Sequence, residues 1–96
     1  MTKRFFVYIM TNAHNSVLYT GVTSDIVGRV HQHRIGVGGS FSGKYRTTKL
    51  VYYEEYTDSL TAITREKQIK AGSRKTKLEL IERINPEWGD LSKGAT

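Results

Sequence analysis

Phe5-Phe6-Val7-Tyr8-Ile9-Met10 and Val17-Leu18-Tyr19-Thr20-Gly21-Val22-Thr23 are two runs of aromatic and β-branched residues separated by Asn12-Ala13-His14-Asn15-Ser16. Side chains of these kinds favour strands, and the intervening Asn and Ser supply turn chemistry, so the pair is expected to form an antiparallel hairpin. Closing the turn symmetrically about Ala13-His14 pairs residues whose numbers sum to 27, which sets Tyr8 opposite Tyr19. Their Cβ atoms would then lie about 4.5–5.5 Å apart on one face of the sheet. A slip of one residue would put them on opposite faces.

Outward from the hairpin, Thr23-Ser24-Asp25 offers N-caps for a helix over about 25–35, with Ile26 and Val30 on its buried side. Arg29 and His33, also four apart, share a face about 60° from the apolar one, close enough to border the sheet. Leu50-Val51-Tyr52-Tyr53-Glu54-Glu55-Tyr56 reads as a third strand. Asp58-Ser59 caps a helix ending at Gly72, and Ser73 caps a last helix that Pro86 stops at Asn85. Leu78, Ile81 and Ile84 are the expected apolar stripe of that helix. The order is ββαβαα: an α/β (α+β) domain with a small three-stranded antiparallel sheet flanked by helices. The one glycine-rich stretch, Gly36-Val37-Gly38-Gly39-Ser40-Phe41-Ser42-Gly43, reads as a flexible surface loop.

Ninety-six residues fit a single domain with one modest core. With no cysteine, a disulfide framework and a Cys-rich zinc site are excluded, and a reducing, cytoplasmic setting is the expectation. The longest uncharged stretch, 5–24, is too broken by Asn12, His14 and Asn15 to span a bilayer or to serve as a secretion signal. Fifteen Lys and Arg against nine Asp and Glu leave a net charge of +6. That excess points to a polyanionic partner, nucleic acid ahead of an acidic membrane, because no basic amphipathic helix with a bulky apolar face stands out.

Five polar elements in order, Val7-Tyr8-Ile9, Leu18-Tyr19-Thr20-Gly21, Arg29 with His33, Glu66, and Asn85 before Pro86, resemble the GIY-YIG nuclease superfamily. The likeness is nearest to its small stand-alone members, relatives of the nuclease domain found in the excinuclease of DNA repair and in certain homing endonucleases. Thr64-Arg65-Glu66-Lys67-Gln68-Ile69-Lys70, Arg74-Lys75-Thr76-Lys77 and Asn85-Pro86-Glu87-Trp88-Gly89-Asp90-Leu91 belong to the same resemblance, which covers about residues 4 to 91. Two positions depart from the name motifs: Val7 stands for glycine and Thr20 for isoleucine, neither at the cost of a functional group. Gly21 is kept, and would let a phosphate or a helix approach the strand end.

The resemblance implies hydrolysis of a phosphodiester by water with one divalent ion, Mg²⁺ or Mn²⁺, held by Glu66. A lone carboxylate suits an ion that keeps several waters, and the scarcity of nearby acids argues against a two-metal clamp. Arg29 would neutralise the scissile phosphate. Tyr8 is the expected base, with Tyr19 and His33 orienting it and the water, although the three could exchange roles. A free phenol titrates near 10, so such a base needs neighbouring positive charge. Asn85 would orient substrate or its neighbours.

Arg65, Lys67, Lys70, Arg74, Lys75 and Lys77 flank Glu66 and read as a phosphate track, extended by Lys44, Arg46 and Lys49. Each residue also has an ordinary reading: half-buried strand tyrosines with surface hydroxyls, a solvated Arg29/His33 pair, an i,i+4 ion pair of Glu66 with Lys70, a helix-end Asn85. The joint pattern, whose weight comes from the resemblance, implies an endonuclease acting on nucleic acid, DNA ahead of RNA, in a repair-like role. A non-catalytic nucleic-acid-binding module on the same fold is the alternative, and a basic adaptor for an acidic protein the third. A degenerate binder would be expected to have lost Glu66 or Arg29, and both are kept. Target choice would rest on substrate structure or on a partner.

Overall fold

A computed structural model describes residues 3–36 and 46–93. Lys44, Tyr45 and the glycine-rich stretch beyond Gly36 lie outside the described residues. Strands β1 (Phe5–Thr11), β2 (Leu18–Thr23) and β3 (Lys49–Tyr56) alternate with helices α1 (Ile26–Ile35), α2 (Ser59–Ala71) and α3 (Arg74–Ile84) in the expected order ββαβαα. The sheet is antiparallel with β1 at its centre, in the order β2-β1-β3.

The helices begin where short polar side chains satisfy free backbone donors. Asp25 accepts from the Gly28 amide at 3.0 Å, Asp58 from Thr61 at 2.7 Å and Ser73 from Thr76 at 3.1 Å. Gly36 ends α1 in the left-handed region, φ 75°. In α3 the buried residues are Leu80 and Ile81, while Ile84 is 56% exposed, so the expected stripe 78/81/84 is only partly inward. Each step of three on a helix falls about 60° short of a full turn, which carries Ile84 roughly 120° away from Leu78.

The hairpin register differs from the symmetric closure: Tyr8 pairs with Gly21 and Met10 with Tyr19, so paired numbers sum to 29. The turn is responsible. Asn12 Oδ1 accepts from the Ser16 amide at 2.8 Å, Asn15 adopts φ 56°, and the Thr11 hydroxyl donates to the Val17 carbonyl at 2.7 Å, so the loop closes around residues 14 and 15. A shift of two preserves the parity, and the tyrosines stay on one face as diagonal neighbours, rings 6.2 Å apart.

On β3, Val51 is an extra residue, since Ile9 pairs with Tyr52 and Met10 with Leu50. The Val51 carbonyl accepts from Asn85 Nδ2 at 3.1 Å.

Alternation along the strands divides the core between two faces. Helices α2 and α3 cover Val7, Ile9, Val51 and Tyr52 with Ala62, Ile69, Leu80 and Ile81. Helix α1 covers Tyr8, Met10 and Leu50 with Val30, joined by Tyr19, Ile26 and Leu91. The C-terminal segment ties α1 to β3. Asp90 accepts from Arg34 at 2.7 Å and from the Leu50 amide at 3.2 Å, and the Leu91 amide donates to the Leu50 carbonyl at 2.7 Å.

Candidate active site

Tyr8 and Tyr19 project from the α1 side of the hairpin, and α1 brings Arg29 and His33 to meet them. The Tyr8 hydroxyl lies 3.2 Å from His33 Nε2. The Tyr19 and His33 rings meet edge-on with centroids 4.9 Å apart. Both the Tyr19 hydroxyl and the Arg29 guanidinium lie beside the Tyr8 phenol. Four of the six expected catalytic residues therefore meet. Tyr8 is not a strand tyrosine with its hydroxyl at the surface: it is fully buried, as is Thr47, and His33 is 3% exposed.

Gly21 makes this burial possible. A Cβ there would lie 2.5 Å from the Tyr8 hydroxyl oxygen and 2.6 Å from Cζ, so the ring lies across the glycine. The space next to Gly21 is thus taken by Tyr8 rather than left for a phosphate or a helix. Val7 and Thr20, the two departures from the name motifs, point to the opposite face and are buried there, so they alter packing and leave the polar cluster intact.

Burial, reinforced by the neighbouring Tyr19 hydroxyl, pushes the Tyr8 phenol well above its ordinary value, while Arg29 pulls the other way. Burial and then Arg29 hold the His33 imidazole below its usual value of 6.5, favouring the neutral ring. Its other nitrogen, Nδ1, lies 3.1 Å from the Thr47 hydroxyl. Nothing in the sequence singles out Thr47, because a β-branched residue just before a strand carries no mark of a tertiary partner.

Glu66 sits on α2, in the layer on the other side of the sheet, and on the inward stripe with Ala62 and Ile69. Its side chain is only 12% exposed, and Lys70 Nζ donates to Oε2 at 3.0 Å. The expected i,i+4 pair is formed, around a carboxylate that is nearly enclosed. Because α2 lies across β1 and the edge strand β2, Glu66 and the tyrosine cluster approach the hairpin from opposite faces. Among the described residues no three His, Asp or Glu side chains cluster to hold a metal. The donor chemistry is one carboxylate, which fits an ion that keeps water and substrate oxygens as its remaining ligands and not a closed protein cage.

Asn85 lies apart from this group. It is buried at the end of α3, donating to the Val51 and Gly89 carbonyls at 3.1 and 2.8 Å and accepting from the Gly89 amide at 3.1 Å. Its polar atoms are spent on the bulge and the turn, which gives it a structural task.

The basic residues also divide. Arg65 is taken up by Glu54, donating from Nε and a terminal nitrogen at 2.9 Å each. Lys70 holds Glu66, Lys77 Nζ donates to the Gly72 carbonyl at 2.8 Å, and Arg74 reaches the Asn15 carbonyl at 3.4 Å. Lys67, Lys75 and Arg46 are exposed.

A small α/β domain that gathers two phenols, an imidazole and a guanidinium on one face of a hairpin, with a carboxylate on a helix behind it, is the arrangement this chain builds. Residues 4–79 match the GIY-YIG catalytic domain, and the chain belongs to that family. It is 38% identical over 79 residues to a UPF0213 protein of Staphylococcus epidermidis, spanning 82% of this chain and 95% of that one. A UPF0213 protein of Staphylococcus aureus is 40% identical over 77 residues, 80% and 93% of the two chains. The solution NMR structure of a UPF0213 protein from Bacillus halodurans superimposes with a TM-score of 0.56 at 26% identity, covering 97% of this chain and 98% of that one. No helix among the described residues is long and apolar enough to cross a membrane.

Proposed function

We propose that the protein is a divalent-metal-dependent endonuclease that hydrolyses phosphodiester bonds in DNA. The observation that supports this reading most is the convergence of Tyr8, Tyr19, Arg29 and His33, residues from two strands and a helix. Arg29 supplies a fixed guanidinium able to grip two phosphate oxygens as charge grows on them. Tyr8 is the base toward the attacking water, with Tyr19 and His33 orienting it. Glu66 would hold Mg²⁺ or Mn²⁺, whose chemistry when bound is Lewis-acid stabilisation of the scissile phosphate. Lys67, Lys75 and Arg46 draw in the backbone without reading sequence. Target choice then comes from substrate structure or from a partner protein, and the setting is cytoplasmic DNA repair.

Two observations favour the alternative, a binding module without turnover: Lys70 already occupies one oxygen of Glu66, and Glu66 meets the hairpin from the face opposite Tyr8 and Arg29. Cleavage of single-stranded, duplex and branched DNA and RNA with Mg²⁺ or Mn²⁺ separates the two. The endonuclease reading expects DNA to be cut, EDTA to abolish the cut, and Glu66→Ala, Arg29→Ala and Tyr8→Phe to lose it. Wild-type protein that binds these oligonucleotides and cuts none leaves the binding module standing. A Glu66→Ala variant that cuts as well as wild type removes Glu66 from the reaction.

A further inference from the structure

The buried chain from Tyr8 through His33 to Thr47 has a direction. A neutral imidazole carries one donor and one acceptor nitrogen, so its two hydroxyl neighbours must play opposite parts. The Tyr8 hydroxyl is fully buried and needs an acceptor for its hydrogen. The Arg29 guanidinium beside it offers only donors. Of the groups left around it, the phenol oxygen of Tyr19 is a weak base and His33 Nε2, at 3.2 Å, is the strong one. The phenol therefore donates to Nε2, which places the imidazole hydrogen on Nδ1, facing the Thr47 hydroxyl 3.1 Å away.

We propose that Thr47 is a positioning residue of this site: by accepting the Nδ1 hydrogen it holds His33 in the tautomer whose Nε2 lone pair faces Tyr8, making His33 the acceptor of the Tyr8 proton during hydrolysis. The catalytic half of this statement rests on the endonuclease reading; the tautomer half does not. The proton balance is simple. As the water oxygen bonds to phosphorus, a water proton passes to the Tyr8 oxygen and the proton Tyr8 carried passes to Nε2. The bond from phosphorus to the leaving oxygen breaks with its electron pair on that oxygen, which takes a proton from bulk water. The imidazolium keeps its Nδ1 hydrogen on Thr47 and later returns the Nε2 proton to solvent. Burial raises the phenol, so a standing phenolate is disfavoured, and it lowers the imidazole, which keeps His33 neutral with an Nε2 lone pair able to accept.

The test is nitrogen-15 NMR of His33 in the purified full chain, read in wild type, Thr47→Val and Thr47→Ser, alongside cleavage of a labelled branched DNA oligonucleotide with Mg²⁺. The expected result is an Nδ1-protonated ring in wild type and in Thr47→Ser. In Thr47→Val the Nε2-protonated form gains population, and kcat falls about 10–100-fold with KM little changed, the order seen when an orienting partner is removed. A wild-type ring protonated on Nε2, or a tautomer unmoved in folded Thr47→Val, overturns the proposal. If Thr47→Val does not fold, the wild-type and Thr47→Ser spectra decide the tautomer alone. Absence of cleavage in wild type with the expected spectra refutes the endonuclease reading while the positioning of His33 stands.

Discussion

The two faces of the sheet use the same residue types to opposite ends. On the α2 side, the Glu54 carboxylate is bonded by the hydroxyls of Tyr52 and Tyr56 and by two nitrogens of Arg65. Burial pushes Glu54 up, but the bonds from Arg65, Tyr52 and Tyr56 win and hold it below its ordinary value. That network is closed, with charge matched by charge. On the α1 side, the Tyr8 hydroxyl meets a neutral imidazole, and Arg29 lies nearby with no carboxylate bonded to it among the described residues. A half-buried carboxylate saturated with donors contributes to stability. Phenol and imidazole with a cation alongside are in a state that an arriving phosphate can change.

The contrast is broken most severely by removing the two groups assigned to the reaction. Glu66→Ala and Arg29→Ala are each expected to reduce cleavage by about 10²–10⁴-fold while thermal unfolding moves little. Glu54→Gln is expected to do the reverse, retaining cleavage and costing about 1–3 kcal/mol in urea unfolding as Arg65 and two phenols lose a charged acceptor. If Glu54→Gln abolishes cleavage at unchanged stability, the division between the Glu54 network and the groups assigned to the reaction, Glu66 on the same face included, is wrong.

Gly21→Ala tests how the α1 face is built. A methyl placed 2.5 Å from the Tyr8 hydroxyl must displace the ring or the strand, at about 1–3 kcal/mol for overpacking, and the His33 resonances should shift with it. A variant as stable as wild type with unmoved His33 signals would show that the ring does not need the glycine.

A smaller effect concerns acid. His33 is packed among Tyr8, Tyr19 and Arg29 and is held below 6.5, so below that pH the unfolded chain binds more protons than the folded one. Stability contributed by the neutral ring is therefore present at higher pH and is lost as pH falls through 6.5 toward the folded value. Unfolding free energy measured from about pH 7.5 to 5.5 should fall more steeply in wild type than in His33→Gln. Equal slopes would remove the buried neutral imidazole from the account.

The smallest change is expected at the surface. Lys67→Ala and Lys75→Ala should each lower the slope of log affinity for DNA against log salt by about one, without altering preference among sequences. An unchanged slope would place the backbone track elsewhere.

The sequence was sufficient for whatever depends on neighbours along the chain. Caps at Asp25, Asp58 and Ser73, strands of β-branched and aromatic residues, and the shared face of Arg29 and His33 follow from local hydrogen bonding and helical period, so the order of elements was legible; Tyr8, Tyr19, Arg29 and His33 were singled out together by the family resemblance, not by spacing. Tertiary structure decided what each group bonds. The turn around Asn12 moved the register by two, the bulge at Val51 drew Asn85 into the fold, Arg65 went to Glu54, and Thr47 came to rest on His33. These partners lie far apart in sequence, and their meeting depends on loop closure and packing that no local spacing encodes.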